Sequence, residues 1–221
     1  MRQDYKEVPL FPIRCWSFNA PDDLTRNTAF DLKELEYRNF NSFAGVGTSK
    51  DITKLPQFYD IHEWFQHCVD TVHADNSWTC DRLVVNKSWS NRSDAHSGHH
   101  HFPHRHPMSF LSGIWYATKG TPTCFIDPVQ QREWSQFFID GGPVTDGTQY
   151  IQPVPGCLFL FPSYLIHSSE PNNTDHNRFS IAFNTFPDGS INRGGWDLPM
   201  AQVKVDGWKD LGPLELSKFL K

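Results

Sequence analysis

Three histidines are the residues of this chain best suited to chemistry. His104 and His106 are separated by one residue, and His167 follows much later in the chain. Side chains one residue apart share a face of a strand, and an imidazole from a distant strand can complete one side of a metal's coordination sphere. Imidazole binds iron, zinc, copper and nickel, so the residue types alone do not fix the metal. The pattern predicts a metal site that keeps open coordination positions.

An arginine and a serine near this site could hold an acid. Arg178 opens an otherwise apolar segment that is predicted to be a strand, and Ser180 lies on the same face of it. A charged group in such a segment is costly to bury unpaired, so an anionic partner is expected. The guanidinium fork matches any carboxylate. That partner could be an internal Asp or Glu, or the carboxylate of a bound small molecule.

The composition limits the class of protein. The 221 residues are 38% hydrophobic and 20% charged, which suits one globular domain with a sizeable core. Five cysteines without a close pair indicate neither a disulfide framework nor a thiolate zinc site. A net charge of −5 without a lysine or arginine cluster argues against nucleic acid as a partner. No apolar stretch suits a membrane span or a signal peptide, so we expect a cytoplasmic protein with small-molecule or protein partners.

One amphipathic helix is predicted at 61–74. Apolar residues recur there at helical spacing, and Asp60 could cap the start. Such a helix packs on a sheet, so His62, His67 and His73 are expected to be structural.

Short strands dominate the chain beyond this helix. They are rich in β-branched and aromatic residues and are separated by proline, glycine and asparagine. Strands that close on themselves favour a barrel or a jelly roll, and both enclose a pocket. The predicted strands are 83–89, 109–117, 123–126, 149–154, 157–161 and 178–186, with an edge strand at 8–13 and an amphipathic stretch at 211–220 packed outside the core.

Several short motifs follow one another in order through residues 8–186. They are Val8-Pro-Leu-Phe-Pro12, Trp89-Ser-Asn91, the run from His104 to Tyr116, Phe125-Ile-Asp-Pro128, the run from Gly156 to Pro162, His167, and the run from Arg178 to Asn184. Each motif alone is weak, but the ordered set is specific. It resembles the 2-oxoglutarate- and iron(II)-dependent oxygenases of bacteria and tailed phages, within the prolyl-hydroxylase-like superfamily.

The resemblance implies a fold and an activity. The fold would be mainly β, a double-stranded β-helix (a cupin-like jelly roll) with flanking helices, in a single domain at 1–221. Support elements would occupy about 1–80, the β-helix core about 81–186, and a C-terminal extension about 187–221. The activity would be that of a dioxygenase using Fe(II), 2-oxoglutarate and O2, and hydroxylating a peptide side chain, notably proline, or a small metabolite. Succinate and CO2 would be released, in the host cytoplasm if the chain is phage-encoded.

The resemblance also implies residue roles. His104 and His167 would be iron ligands, and Arg178 with Ser180 would hold the distal carboxylate of 2-oxoglutarate. Tyr116 has the alternation parity of an inward-facing residue and could hydrogen-bond the same co-substrate.

One position departs from the wider superfamily, which has an acid where this chain has His106. We expect His106 to ligate the iron directly, which gives three neutral ligands. The alternative is that His106 stays outside the coordination sphere and Asp94 or a water fills the position. The remaining histidines of the 93–101 loop are expected to be solvated. Asn91 and Asn184 are weaker candidates for the pocket, and Trp89 and Trp115 are each either core or substrate platform.

Two other functions stay open. A cupin-like binding module would hold zinc or nickel without turnover, and Arg178 would then pair with an internal acid. A three-histidine oxygenase that needs no keto acid would share the metal site but give Arg178 and Ser180 no role.

Overall fold

The computed structural model describes residues 12–39, 47–49, 51–128, 147–191 and 201–205. Within them, helix α1 is Asp22–Lys33 and helix α2 is Tyr59–Ala74, preceded by a 3-10 turn at Pro56–Phe58. The strands are β1 Trp16–Asn19, β2 Arg38–Asn39, β3 Gly47–Thr48, β4 Cys80–Ser93, β5 Leu111–Tyr116, β6 Thr123–Ile126, β7 Thr148–Ile151, β8 Cys157–Pro162, β9 His167–Ser169, β10 Arg178–Ile191 and β11 Ala201–Val203.

The strands form two antiparallel sheets. The larger has the order β1-β8-β5-β10-β4-β3-β2, with β11 added beside β10, and the smaller has the order β7-β6-β9. Strands β7, β8, β9 and β10 alternate between the two sheets, as in a double-stranded β-helix. The predicted mainly-β jelly roll is confirmed, and helices flank it.

The inner face of the larger sheet packs against the smaller sheet. Ile114, Tyr116 and Phe161 of the larger sheet form one cluster with Phe125 of the smaller sheet and with Leu165. The ring centroids of Phe125 and Phe161 lie 4.8 Å apart. This contact closes one end of the space between the sheets and leaves the polar inner residues beyond it to line a pocket.

The outer face of the larger sheet packs against α2. Phe179, Ile181 and Phe183 of β10 point outward and are buried in the main core. Phe65 of α2 stacks on Phe183 with ring centroids 4.7 Å apart. Burying each large apolar side chain contributes roughly 1.5–3 kcal/mol. Side chains alternate along a strand, so Arg178, the first residue of β10, faces the inner side when Phe179 faces outward.

The predicted elements are present with different ends. All six strands predicted between 83 and 186 occur, and β4 and β10 extend well beyond the predicted limits. Helix α1 and strands β1, β2, β3, β9 and β11 were not predicted. Helix α1 is mostly polar and buries only Thr28 and Leu32. Strand β9 has three residues, too few to show a period. The stretch at 211–220 and most of the edge strand at 8–13 lie outside the described residues.

The start of α2 differs from the prediction. Asp60 does not cap the helix, because the helix begins at Tyr59 and its N-cap position is Phe58, without a side-chain cap bond. Asp60 lies instead in the first turn, where its charge complements the helix dipole. None of the described helices is long and apolar enough to span a bilayer.

His62 and His73 have the structural roles that were predicted. His62 is fully buried, and its Nε2 lies 2.6 Å from the Ser88 hydroxyl of β4. His73 Nε2 lies 3.1 Å from the carbonyl oxygen of Cys80, which also ties α2 to β4. His67 is exposed on the opposite side of the helix.

The buried imidazole of His62 should make stability depend on pH. Burial lowers the pKa of His62 from 6.5 to about 4, so below 6.5 the unfolded chain binds a proton that the folded chain excludes. We expect this residue to destabilise the fold by about 2 kcal/mol at pH 5 relative to pH 7. Urea unfolding of wild type and His62→Gln at both pH values measures it. An equal loss in both proteins would contradict this assignment.

Candidate functional site

A backbone contact brings two of the predicted ligands together. His104 and His167 form an antiparallel bridge in which each N–H donates to the other's carbonyl oxygen at 2.9 Å. Directly opposite residues of an antiparallel pair project to the same side. Their ring centroids are accordingly 4.4 Å apart. His106 is held by its own N–H, which donates to the carbonyl oxygen of Ser163 at 3.1 Å.

The three imidazoles converge. One nitrogen from each of His104, His106 and His167 lies within 4.8 Å of the other two, a spacing that one metal ion can span. The Nε2 atoms of His106 and His167 are 3.3 Å apart. On the far side of the rings, Nδ1 of His104 lies 2.8 Å from the Phe102 carbonyl, and Nδ1 of His167 lies 3.1 Å from the Leu165 carbonyl. A carbonyl accepts only from a protonated nitrogen, so Nδ1 carries the proton in His104 and His167. The Nε2 lone pair of each ring is then free for a metal.

Burial keeps the rings of His106 and His167 uncharged. It lowers the pKa of His167 to about 3, and the neighbouring His104 and His106 add to the effect. It also lowers the pKa of His106 to about 4, again with a contribution from His104. A metal binds the neutral form of imidazole, so no proton has to be displaced from these two rings at neutral pH.

Asp94 is not placed to replace His106. Its carboxylate accepts a hydrogen bond from Arg92 Nε at 2.6 Å. Within the part of the chain that the structure describes, the metal-capable group consists of the three histidines alone. The geometry therefore favours His106 over Asp94 as the third ligand.

Arg178 is buried without an acidic partner. It is 3% exposed, and none of the described carboxylates lies within ion-pair distance of it. One terminal nitrogen donates to the Thr123 hydroxyl at 3.0 Å, and Nε has no partner. Burial lowers the pKa of this guanidinium, which expresses the cost of holding its charge away from water. Pairing this charge requires an anion from outside the described residues, and a carboxylate of a bound molecule would suit it.

Tyr116 and Thr123 complete this end of the site. The guanidinium carbon lies 5.6 Å from the centre of the Tyr116 ring, and the Tyr116 hydroxyl donates to Thr123 Oγ1 at 2.8 Å. Thr123 was missed by the sequence analysis, since a threonine at the start of a strand gives no signal of function. Gly120 borders Arg178 so closely that a Cβ there would lie 2.8 Å from the arginine Cβ.

One cavity of about 180 Å³ contains both groups. Its wall includes the three histidines together with Arg178, Ser180 and Asn91 as predicted, and it is completed by Thr48, Trp89, His101, Ile114 and Ala182. Asn184 is not part of this wall, because its side-chain oxygen accepts a hydrogen bond from Ser112 at 3.0 Å.

His101 corrects the expectation of a solvated loop. It lines the cavity, and its Nδ1 lies 3.4 Å from the Ser169 hydroxyl. Burial, followed by the charge of Arg178, lowers the pKa of His101 to about 3. Its closeness in sequence to His104 was the signal available. His96, in contrast, is exposed and lies 2.8 Å from the Asp175 carboxylate.

A protein-family comparison matches residues 87–184 to the family described as "Putative 2OG-Fe(II) oxygenase". The matched segment contains all three histidines, Arg178 and Ser180. Residues 87–184 are therefore similar to the 2OG-Fe(II) oxygenases. No curated protein matches the sequence.

Solved structures share the fold of this chain. A Pseudomonas putida prolyl-4-hydroxylase is 15% identical, with a TM-score of 0.56 over 80% of this chain and 94% of that one. HygX from Streptomyces hygroscopicus, solved with nickel, 2-oxoglutarate and hygromycin B, is 13% identical, with a TM-score of 0.57 over 90% and 95%. A Trichoplax adhaerens prolyl hydroxylase, in complex with a hypoxia inducible factor peptide fragment, is 12% identical, with a TM-score of 0.54 over 78% and 83%.

Proposed function

We propose that this chain is an iron(II)- and 2-oxoglutarate-dependent oxygenase. It hydroxylates an aliphatic carbon of a peptide side chain or a small metabolite and converts 2-oxoglutarate to succinate and CO2. One observation carries the proposal. Three imidazoles line the same cavity as a buried guanidinium that has no acidic partner among the described residues. A dicarboxylate that binds a metal at one end and Arg178 at the other satisfies both groups at once.

The residues fit iron and co-substrate in separate roles. His104, His106 and His167 hold the iron through neutral imidazole nitrogens, and carbonyls behind the rings fix the positions of His104 and His167. Arg178 pairs with the far carboxylate, and Ser180 is the nearest inward hydroxyl on the same strand. When bound, iron(II) with 2-oxoglutarate and O2 supplies the oxidising power that no side chain has.

The protein prepares the co-substrate end before binding. Thr123 accepts hydrogen bonds from both Tyr116 and Arg178, so the guanidinium is held against the Tyr116 ring. An already positioned donor loses less side-chain entropy when the carboxylate arrives. Tyr116 therefore acts on the co-substrate through Thr123 and Arg178, and it lies beneath the guanidinium rather than in the cavity wall.

Peptide and small-molecule substrates both have precedent among proteins of this fold. The Trichoplax adhaerens enzyme was solved with a peptide fragment and HygX with hygromycin B. These likenesses support the class of reaction and leave the choice of substrate to experiment.

The test of this function is an anaerobic titration of the protein with iron(II) and 2-oxoglutarate. Chelation of the metal by the keto acid should give a visible charge-transfer band that saturates at one equivalent of each. Succinate should then form on exposure to O2. Iron binding without the band would favour a three-histidine oxygenase that needs no keto acid, and zinc or nickel binding without turnover would favour a cupin-like module. The absence of an acid at Arg178 among the described residues speaks against both.

A substitution at His106 tests direct ligation. We expect His106→Asp to keep iron bound, because a carboxylate is also a good iron ligand, and His106→Ala to weaken iron binding about tenfold to a hundredfold. Competition with a chromophoric chelator measures the affinities. Similar affinities for wild type and His106→Ala would show that this ring is not a ligand.

A further inference from the structure

The inner face of β10 separates two flanks of the cavity. Ser180 is paired with Tyr116 of β5 on one side and with Asn91 of β4 on the other. Thr48 of β3 continues the row beyond Asn91. The Tyr116 side holds the group proposed for the co-substrate. The opposite flank, formed by Thr48, Asn91 and Trp89, has no role in that scheme.

Asn91 presents an unused donor on this flank. The Thr48 hydroxyl donates to Asn91 Oδ1 at 3.1 Å, which fixes the direction of the amide. Its Nδ2 has no partner among the described residues, although Asn91 is only 7% exposed and lines the cavity. A buried amide whose NH2 group is unpaired requires an acceptor from a ligand or a water.

Trp89 provides an apolar surface beside the metal. Its ring centroid lies 5.6 Å from that of His106, and the side chain is half-buried in the cavity wall. The indole N–H has no partner among the described residues either. A substrate carbon that packs on this ring would lie next to the metal ligands.

The charge of the cavity selects against cations. Its described wall contains Arg178 and no aspartate or glutamate. Three neutral imidazoles do not reduce the charge of iron(II), so the two carboxylates of 2-oxoglutarate are the compensating negative charges. A positively charged substrate would meet a metal cation and a guanidinium without finding an acid.

We propose that Thr48, Asn91 and Trp89 form the primary-substrate subsite, and that it receives an acyl group, with the carbonyl oxygen at Asn91 Nδ2 and an adjoining apolar carbon on Trp89. This inference rests on the proposed function, since it assigns the part of the same cavity that the co-substrate leaves free. The substrate class is an amide or a carboxylic acid, and amines are excluded.

Three matched compounds test this class. N-acetyl-L-prolinamide, N-acetyl-L-proline and pyrrolidine share one ring but are neutral, anionic and cationic. We expect the ring protons of the first two to be broadened in NMR spectra by protein loaded with manganese(II) and 2-oxoglutarate, and those of pyrrolidine to be unaffected. The acyl compound that binds more tightly shows whether the substrate is an amide or a carboxylic acid. Binding of pyrrolidine alone, or of none of the three, overturns the proposal.

Substitutions at Asn91 assign the contact. Asn91→Ala should weaken binding of the acyl compounds about tenfold, the value of one lost hydrogen bond with its unpaired acceptor. Asn91→Asp should favour pyrrolidine, since it adds the missing acid. Thr48→Val should weaken binding less, because it loosens the amide without removing it. Asn173→Ala, at an exposed asparagine, is the matched control and should bind as wild type.

The iron(II) charge-transfer band distinguishes a failure of the proposed function from a failure of the subsite proposal. A wild-type protein without the band refutes the proposed function itself. A normal band in Asn91→Ala together with unchanged binding of the acyl compounds refutes only the subsite. If Asn91→Ala instead loses affinity for 2-oxoglutarate, Asn91 contacts the co-substrate and the subsite is also refuted.

Discussion

Replacing His167 by alanine should abolish specific iron(II) binding, with a loss of affinity of more than about a hundredfold. His167 is the most buried of the three ligands, and its ring lies closest to both of the others. Without it two imidazoles remain, and they come from a loop that His167 holds through two main-chain hydrogen bonds. Because those bonds use the backbone, the fold should survive the change. Chelator competition measures the affinity, and circular dichroism reports the fold.

His67→Ala is the matched control for this experiment, because it removes an exposed imidazole of α2 and should leave iron affinity unchanged. If His167→Ala bound iron as wild type does, the three histidines would not be the metal site. Equal losses in both variants would indicate adventitious binding of iron by surface histidines.

Replacing Arg178 by methionine should leave iron binding intact and weaken 2-oxoglutarate binding about a hundredfold to a thousandfold. The guanidinium is fully buried and its Nε is unpaired, so a bound carboxylate gains a desolvated, charge-assisted contact that methionine cannot make. The midpoint of the rise of the charge-transfer band with 2-oxoglutarate concentration measures the co-substrate affinity. Succinate formation should fall in parallel at low 2-oxoglutarate and recover in part at high concentration.

The stability of the Arg178→Met protein separates the two roles of the arginine. If Arg178 awaits a ligand, the ligand-free variant should be as stable as wild type or more so, because an unpaired buried charge is removed. If Arg178 instead pairs with an internal acid, breaking that pair should cost about 3–5 kcal/mol. Arg38→Met is the control, since Arg38 is exposed and its ion pair with Glu36 spans 3.3 Å. It should change neither stability nor co-substrate affinity.

The order of motifs along the chain was sufficient to predict the fold and most of the site. A one-residue spacing and a distant third histidine predicted the imidazole cluster, and strand parity placed Arg178 and Ser180 on one face. These signals are local, and alternation along a strand holds wherever the strand lies. Asn184 keeps this parity, since its side chain bonds the directly opposite Ser112, but it lies outside the cavity wall.

Other members of the site depend on strand register and loop path. Thr123 lies beside Arg178, and His101 lies in the cavity wall, only because distant segments meet in the folded chain. The pairing of Asn91 with Thr48 likewise depends on the edge strand β3. No periodicity encodes such contacts, since they join residues far apart in the sequence.

The sequence by itself therefore determined which residue types are available, the faces on which they lie and the family they resemble. Only the tertiary structure decided that Arg178 has no acid among the described residues, that His106 rather than Asp94 lies in the metal-capable group, and that Thr48, Asn91 and Trp89 line the same cavity. The physical reason is that pairing and desolvation are properties of the space around a group. That space is created when two sheets pack, and no segment of the chain contains it alone.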